Sequence, residues 1–97
     1  MAQFFEFDVR KAEQNRRKHG ATFSEAESAF KDQNCLDRYD DEHSGDEDRF
    51  VRLARSERDR LLVVVYTERT GKQDSFIRII SARLANARER RAYAERG

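Results

Sequence analysis

Among its 97 residues the chain has a single cysteine, Cys35. One thiol excludes a disulfide within the chain and a zinc cluster built on cysteines, and we expect Cys35 to have no functional role. No apolar stretch approaches the roughly 20 residues that a membrane-spanning helix needs, and the first residues lack the basic-then-apolar order of a signal peptide. The sequence therefore predicts a soluble, cytoplasmic protein without membrane contact.

Hydrophobic residues are also scarce, at 37%, whereas charged residues make up 40%. Such a composition raises the alternative of a disordered chain. The apolar residues are, however, concentrated in two runs, at 61–66 and 76–80, and disordered chains lack β-branched and aromatic runs of this kind. Because this length suffices for one compact domain and not for two, residues 1–97 are predicted to form a single domain.

Charge is distributed unevenly along the chain. Residues 1–48 carry a formal net charge of −6 and residues 49–97 carry +7, so the total of +1 conceals a basic half. All the cations of that half are arginines except Lys72, and the planar guanidinium group suits bidentate contacts with phosphate. Nucleic acid is therefore a candidate partner, with solubility as the alternative explanation of the charge.

Caps, apolar spacing and turns predict the order strand, two helices, four strands, helix. Asp8 caps the first helix, at 9–18, and Ser24 caps the second, with Glu27 completing a capping box. The strands are predicted at 4–7, 35–39, 49–55, 60–69 and 75–82, and the last helix at 83–96.

Turns of three to five residues join the last three strands, which allows only antiparallel hairpins. The predicted fold is α+β, with two N-terminal helices packed on a twisted, mostly antiparallel sheet of four to five strands, and with a C-terminal helix. The continuous apolar run at 61–66 predicts a central strand that is buried on both faces.

Charged residues in the core strands are the first candidates for chemistry. Glu68 and Arg69 follow the run at 61–66, Arg78 interrupts the next apolar run, and Arg83 ends it. A charge in such a strand must reach solvent along one sheet face or find a partner. Arg78 and Glu68 are therefore predicted to form a cross-strand pair, as the structural alternative to a role in catalysis.

The catalytic interpretation starts from metal-free RNA cleavage, in which the 2′-hydroxyl attacks the adjoining phosphate. A base must take the hydroxyl proton, an acid must protonate the leaving 5′-oxygen, and cations must stabilise the negative charge on the phosphate. Arg78 and Arg83 suit the last task. His19 is the candidate for proton transfer because histidine ordinarily titrates near neutral pH, with Glu68 as the alternative base. A histidine near a helix C-terminus is equally well explained by the helix dipole.

Further cations are candidates for binding RNA. Lys18 adds charge beside His19, and Arg69 ends a core strand. On the last helix Arg88 and Arg91 accompany Tyr93, a combination that can hold phosphates and stack a base or can equally form an exposed helix face. His43 lies in an acidic loop at 40–48, but its spacing fits no calcium loop. We therefore expect a solvated loop, no metal and no cofactor.

Residues from all parts of the chain match the pattern of one family. In chain order they are Phe7, Asp8, Lys11, Asn15, Lys18, His19, Gly20, Phe23, Glu25, Ala26 and Phe30, then His43, Ser44, Glu47, Arg49, Phe50 and the run 60–69, and finally residues 77–83 with Glu89, Arg90, Arg91 and Tyr93. With this co-linear set the sequence resembles the BrnT toxins of type II toxin–antitoxin systems. The resemblance extends over nearly the whole chain.

The resemblance implies a RelE-like fold and a metal-independent endoribonuclease that cleaves RNA and thereby inhibits translation and growth. It also implies a BrnA-like ribbon-helix-helix antitoxin as partner, with operator DNA bound only through the toxin–antitoxin complex. The sequence departs from the family pattern at Phe7, where tryptophan is usual. It also departs at Ala54 and Arg55, where the family has a glycine before the serine, and at 84–86, where it has Lys-Ala-Thr.

The departures before Ser56 and at 84–86 can alter the rim of the site. They leave a catalytically inactive antitoxin-binding module, part of an autoregulatory DNA-binding complex, as the alternative function. A small DNA-binding regulator is a weaker alternative because the sequence offers no recognition helix with base-reading polar residues after a tight turn.

Overall fold

A computed structural model describes residues 2–45, 47–70 and 72–96. The elements are β1 (Ala2–Glu6), α1 (Val9–His19), α2 (Phe23–Ser28), a 3-10 turn (Ala29–Lys31), β2 (Leu36–Tyr39), β3 (Arg49–Arg55), β4 (Leu61–Thr70), β5 (Asp74–Leu84) and α3 (Ala87–Arg96). The predicted α+β class is confirmed, with three helices and a five-stranded, mostly antiparallel sheet.

The strands lie in the order β1-β5-β4-β3-β2. The meander predicted for β3, β4 and β5 is confirmed, and β2 also pairs antiparallel with β3. β1 pairs parallel with β5, with Glu6 opposite Arg78 at the end of the pairing. A bulge interrupts the pairing between β4 and β5. Val65 lies opposite Ser81, whereas the next residue, Tyr66, lies opposite Ile79. The bulge leaves Ile80 without a directly opposed residue and shifts the register of everything on its far side.

Two predicted helix starts are wrong. Thr22, not Ser24, caps α2, and its hydroxyl accepts a hydrogen bond of 3.0 Å from the Glu25 amide. Serine and threonine cap helices almost equally well, so the sequence left both positions eligible. The last helix begins at Ala87 because β5 continues to Leu84. Asn86 and Glu89 form a reciprocal capping box there, with two side-chain to amide hydrogen bonds of 2.8 Å.

Side chains of β4 alternate between two cores, one on each face of the sheet. On one face Phe23 and Ala26 of α2 are buried with β4 and β5 residues, which are Leu62, Val64, Tyr66, Ile77, Ile79 and Ala82. On the other face Leu53, Leu61, Val63 and Ala85 are buried, with Tyr93 of α3 packed against them. The prediction that the run at 61–66 is buried on both faces is confirmed. Among the described residues, no helix is long and apolar enough to cross a membrane.

Asn15 joins α1 to the edge of the sheet where β1 has ended. Its amide nitrogen donates to the Ala21 and Ala82 carbonyl oxygens at 3.0 and 2.7 Å, and its oxygen accepts from the Ala82 amide at 3.1 Å. The side chain thus replaces a strand neighbour for Ala82. Because Asn15 is only 7% exposed, this pairing fixes the position of α1 beside β5.

Candidate nucleic-acid interface

The face of the sheet opposite α2 carries a row of polar residues across four strands. Arg49 of β3 lies opposite Thr67 of β4, Thr67 lies opposite Arg78 of β5, and Arg78 lies opposite Glu6 of β1. Directly opposed residues share a face, so the side chains of all four project to the same side. Thr67 is 4% exposed and forms the floor between the two arginines.

Further arginines lie on this face because of the two-residue period of the strands. Together they are Arg38, Arg49, Arg69, Arg78 and Arg83, and we call them the basic face. α3 packs on the part of this side of the sheet that contains Leu53 and Leu61. A row of guanidinium groups on one sheet face is a suitable footprint for a chain of phosphates.

A pocket of about 120 Å³ opens at the row of Arg49 and Arg78. Its lining residues are Asp8, Lys11, Glu47, Arg49, Arg78, Ile79 and Ile80. Three cations and two carboxylates therefore meet there, contributed by the start of α1, by the segment before β3 with the first residue of β3, and by β5 near its bulge. Among the described residues no ion pair joins Arg49 or Arg78 to a carboxylate, so both guanidinium groups can bind an anionic ligand.

The two carboxylates of the pocket differ in their surroundings. One oxygen of Asp8 accepts hydrogen bonds from the backbone amides of Arg10 and Lys11, at 2.8 and 3.2 Å. These hydrogen bonds, first that from Lys11 and then that from Arg10, lower the pKa of the Asp8 carboxyl. Asp8 is therefore ionised and occupied as the helix cap, as predicted. Glu47 lines the pocket from the other side, next to Arg49, and does not cap a helix. Of the two pocket carboxylates, Glu47 is thus the one that is not bound to the amides of a helix start.

Comparison with known proteins bears on this site. The chain matches the family model described as "Ribonuclease toxin, BrnT, of type II toxin-antitoxin system" over residues 7–89. It belongs to the BrnT family. The matched range includes all the residues that line the pocket.

One solved structure supports the fold of this BrnT-family chain. The crystal structure of the Brucella abortus ribonuclease toxin BrnT superposes with a TM-score of 0.57 at 17% sequence identity, over 89% of this chain and 99% of that one. At this identity the likeness concerns the fold alone. No curated protein matches the sequence.

Arg78 does not pair with Glu68 in this member of the BrnT family. Glu68 lies opposite Ile77, on the face that α2 covers, and accepts a hydrogen bond of 2.9 Å from the Ser75 hydroxyl. The predicted pair is wrong because Thr67, one residue earlier, is the residue opposite Arg78. A shift of one residue in a strand turns a side chain to the other face. Glu68 and Arg78 are therefore separated by the sheet.

His19 and Lys18 lie at the C-terminal end of α1, away from the pocket. The adjoining Gly20 carbonyl accepts a hydrogen bond of 3.2 Å from Arg60, which directly precedes β4. Thr67 follows seven residues later, a distance of roughly 20 Å along an extended strand. The structure therefore does not bring His19 or Lys18 together with Arg78.

Arg83 is on the basic face, opposite Val63, but it binds a carboxylate. Its two terminal nitrogens donate to the Glu89 oxygens, each at 2.8 Å, and this hydrogen bonding lowers the pKa of the Glu89 carboxyl. With Arg38 these residues line a second pocket, of about 200 Å³, over Leu36, Val51, Leu53 and Val63. Arg83 thus ties β5 to the first turn of α3 and does not line the pocket that contains Arg49 and Arg78.

The remaining predicted residues divide between α3 and the sheet. Arg88 and Arg91 are exposed on α3. The Tyr93 hydroxyl donates to Asp32 at 2.6 Å, and the Arg55 guanidinium lies 5.6 Å from the centre of its ring. Tyr93 therefore anchors α3 to the body of the domain. Arg69 remains on the basic face, where it donates to Glu6 at 3.1 Å.

The acidic loop is held by its own contacts. His43 Nδ1 lies 3.0 Å from an Asp40 oxygen, and the Ser44 hydroxyl donates to the Asp40 carbonyl at 2.7 Å. Asp46 lies outside the described residues, and among those described no group of three His, Cys, Asp or Glu side chains could hold a metal.

The sequence alone did not single out Lys11, Glu47 or Arg49 as site residues, although each belongs to the family pattern. Lys11 is far along the chain from Glu47 and Arg49, and the approach of all three to Arg78 depends on the register of β3, β4 and β5. The available signal was the hairpin geometry. Once the pairing of β3 with β4 is known, Arg49 lies opposite Thr67, and the alternation of side chains along each strand places both on the same face.

Proposed function

We propose that this chain is a metal-independent endoribonuclease with a RelE-like fold, acting as a single domain over residues 1–97. It cleaves RNA and so inhibits translation and growth, and a BrnA-like ribbon-helix-helix antitoxin neutralises it. Operator DNA is bound only by the toxin–antitoxin complex. The observation that carries the proposal is the row in which Arg49 and Arg78 flank the buried Thr67 beside Lys11.

Arg49 and Arg78 hold the scissile phosphate in this proposal. Their strands are two sheet spacings apart, or about 10 Å, and arginine side chains are long enough to converge on an anion between them. A phosphate there presents its non-bridging oxygens to both guanidinium groups. Because these cations are fixed before the reaction, they stabilise the charge that grows on the phosphate in the transition state.

Glu47 and Lys11 supply the proton transfers. The Glu47 carboxylate takes the proton of the 2′-hydroxyl as the 2′-oxygen bonds to phosphorus, and the bond from phosphorus to the 5′-oxygen breaks. The Lys11 ammonium gives a proton to that 5′-oxygen, so the products are a 2′,3′-cyclic phosphate and a 5′-hydroxyl. This assignment replaces His19 and Glu68, neither of which lines the pocket.

The test uses purified protein and a labelled single-stranded RNA, with and without EDTA. We expect cleavage that EDTA does not change, and a loss of about a hundred- to a thousandfold in Arg49→Ala and in Arg78→Ala. Arg17→Ala is the matched control, because Arg17 is exposed on α1 and pairs with Glu13. Equal melting temperatures establish that the variants are folded.

Two results would contradict the proposal. Intact RNA after incubation with well-folded wild-type protein leaves the antitoxin-binding module as the function. Cleavage that EDTA abolishes and Mg²⁺ restores assigns the chemistry to a metal rather than to Glu47 and Lys11.

A further inference from the structure

Two phenylalanine rings lie on the basic face beside the row of Arg78. Phe4 of β1 is directly opposite Phe76 of β5, and the rings are stacked with centroids 5.4 Å apart and planes at 22°. The Arg69 guanidinium lies 5.6 Å from the Phe76 ring centre. Phe76 precedes Arg78 by two residues on the same strand, so the rings and Arg78 share a face at a spacing of about 7 Å.

The exposure of this pair calls for an explanation. Phe4 is 48% exposed. A single exposed apolar side chain is ordinary, but here two aligned rings adjoin a row of cations. That combination, aromatic faces beside positive charge, is how proteins bind single-stranded nucleic acid without reading its sequence.

We propose that Phe4 and Phe76 form a stacking platform for an RNA base next to the phosphate held by Arg49 and Arg78. The inference rests on the proposed function and adds a base-binding subsite to it. A spacing of about 7 Å along the strand places the platform within reach of an adjacent nucleotide. Arg69 lies where it can contact that nucleotide's phosphate.

Tyr93, the aromatic residue that the sequence offered for stacking, is engaged elsewhere. Its hydroxyl binds Asp32 and its ring is approached by Arg55. The Phe4 ring has an exposed surface of its own on the same face as Arg78. The base therefore stacks on Phe4 and Phe76 and not on α3.

The chain contains no tryptophan, so Phe4→Trp places a single indole in the platform. The probe is a hexaadenylate carrying 2′-O-methyl groups throughout, which cannot be cleaved because it has no free 2′-hydroxyl. We expect saturable quenching of the Phe4→Trp fluorescence. The matched control is Tyr39→Trp, since Tyr39 is 43% exposed on the opposite edge strand and makes an edge-to-face contact with Phe50 on the other face. Its fluorescence should not change.

Affinity for the same oligonucleotide, measured by anisotropy with a labelled copy, provides the second readout. Phe4→Leu keeps an apolar side chain without a ring and should weaken binding by roughly five- to a hundredfold, whereas Phe4→Tyr should bind like the wild type. Melting temperatures identify any variant that is unfolded.

Each outcome decides a different statement. Binding of the oligonucleotide with unchanged Phe4→Trp fluorescence and unchanged Phe4→Leu affinity overturns the platform and leaves the ribonuclease proposal intact. Absence of binding by the wild type overturns both. Loss of antitoxin binding in Phe4→Leu, with RNA binding retained, assigns the two rings to the protein partner instead.

Discussion

Arg78 and Glu68 lie on opposite faces of the sheet, although they belong to neighbouring strands and Glu68 directly follows the residue opposite Arg78. Arg78 lies opposite Thr67 on the basic face, and Glu68 lies opposite Ile77 on the face covered by α2. The sheet therefore separates the Arg78 guanidinium from this carboxylate. On the side of Arg78, Glu6 is bound to Arg69 and Asp8 caps α1, which leaves Glu47 of the pocket as the proposed base.

Substitution of the two glutamates distinguishes these positions. Glu47→Gln should lower kcat by about a hundredfold or more, because an amide cannot accept the hydroxyl proton. Glu68→Gln should leave kcat unchanged, since the amide can still bind Ser75 and the position is remote from the phosphate. Single-turnover cleavage of a labelled RNA measures both. A larger loss in Glu68→Gln than in Glu47→Gln would refute the assignment.

His19 provides an independent check on proton transfer. It lies at the last position of α1, beside the Gly20 carbonyl that binds Arg60. His19→Gln should therefore keep kcat within about twofold of the wild type, whereas general acid–base catalysts contribute roughly a hundredfold or more. The pH dependence of kcat should also be the same for this variant and the wild type. A pH profile that loses one limb in His19→Gln would return the proton transfer to histidine.

The antiparallel hairpins of β3, β4 and β5 could be predicted because short turns leave few alternatives, whereas the parallel pairing of β1 with β5 was not predicted. The apolar run of β4 likewise required burial on both sides. The end of β5 could not be predicted, since Arg83 and Leu84 read equally well as the start of a helix rich in arginine and alanine. Pairing with Val63 and Leu62 keeps these two residues in the strand, and such pairing is a tertiary effect that overrides local preference.

The sequence could predict an anion-binding site but not which residues form it. An arginine within a core strand, Arg78, already pointed to an anion. Its neighbours depend on register to within one residue, and the bulge at Ile80 shifts the register between β4 and β5. No local pattern in the sequence marks that bulge. A prediction from the sequence therefore pairs Glu68 with Arg78 and misses Lys11 and Glu47, which are distant from Arg78 along the chain.

At Asn15, replacement of the amide by a carboxylate should destabilise the fold more than removal of the side chain beyond Cβ. Asn15→Asp loses both donated hydrogen bonds and places a carboxylate against the carbonyl oxygens of Ala21 and Ala82. We expect a loss of about 3 kcal/mol or more in the free energy of unfolding, against about 2 kcal/mol for Asn15→Ala. Urea unfolding at pH 7 gives both values. Equal losses in the two variants would mean that the carboxylate adds no repulsion to the loss of the donated hydrogen bonds.

Glu25 and Arg60 should differ in their effects on stability although they bind each other. Glu25 is 2% exposed and accepts hydrogen bonds from Ser56 at 2.6 Å and from Arg60 Nε at 2.9 Å. Arg60→Met leaves that carboxylate buried without its main partner, at a cost of about 3 kcal/mol. Glu25→Gln leaves Arg60, which is 29% exposed, able to reach water, so a loss of about 1 kcal/mol is expected. Urea unfolding of both variants tests this order, and a reversed order would refute it.

The same carboxyl should make the protein sensitive to acid. The hydrogen bond from Arg60 is the main cause that lowers the pKa of Glu25 below its ordinary value of 4.5. Its contribution to stability is therefore fully present above that value and is lost as the pH falls through the lower pKa of the folded state. As the pH falls from roughly 5 to roughly 3, a window around 4.5, the free energy of unfolding should decrease more steeply in the wild type than in Glu25→Gln. The glutamine of this variant cannot bind a proton in that range. Parallel curves for the two proteins would show that the carboxyl of Glu25 has the same pKa folded and unfolded, and hence that Arg60 does not stabilise its charge.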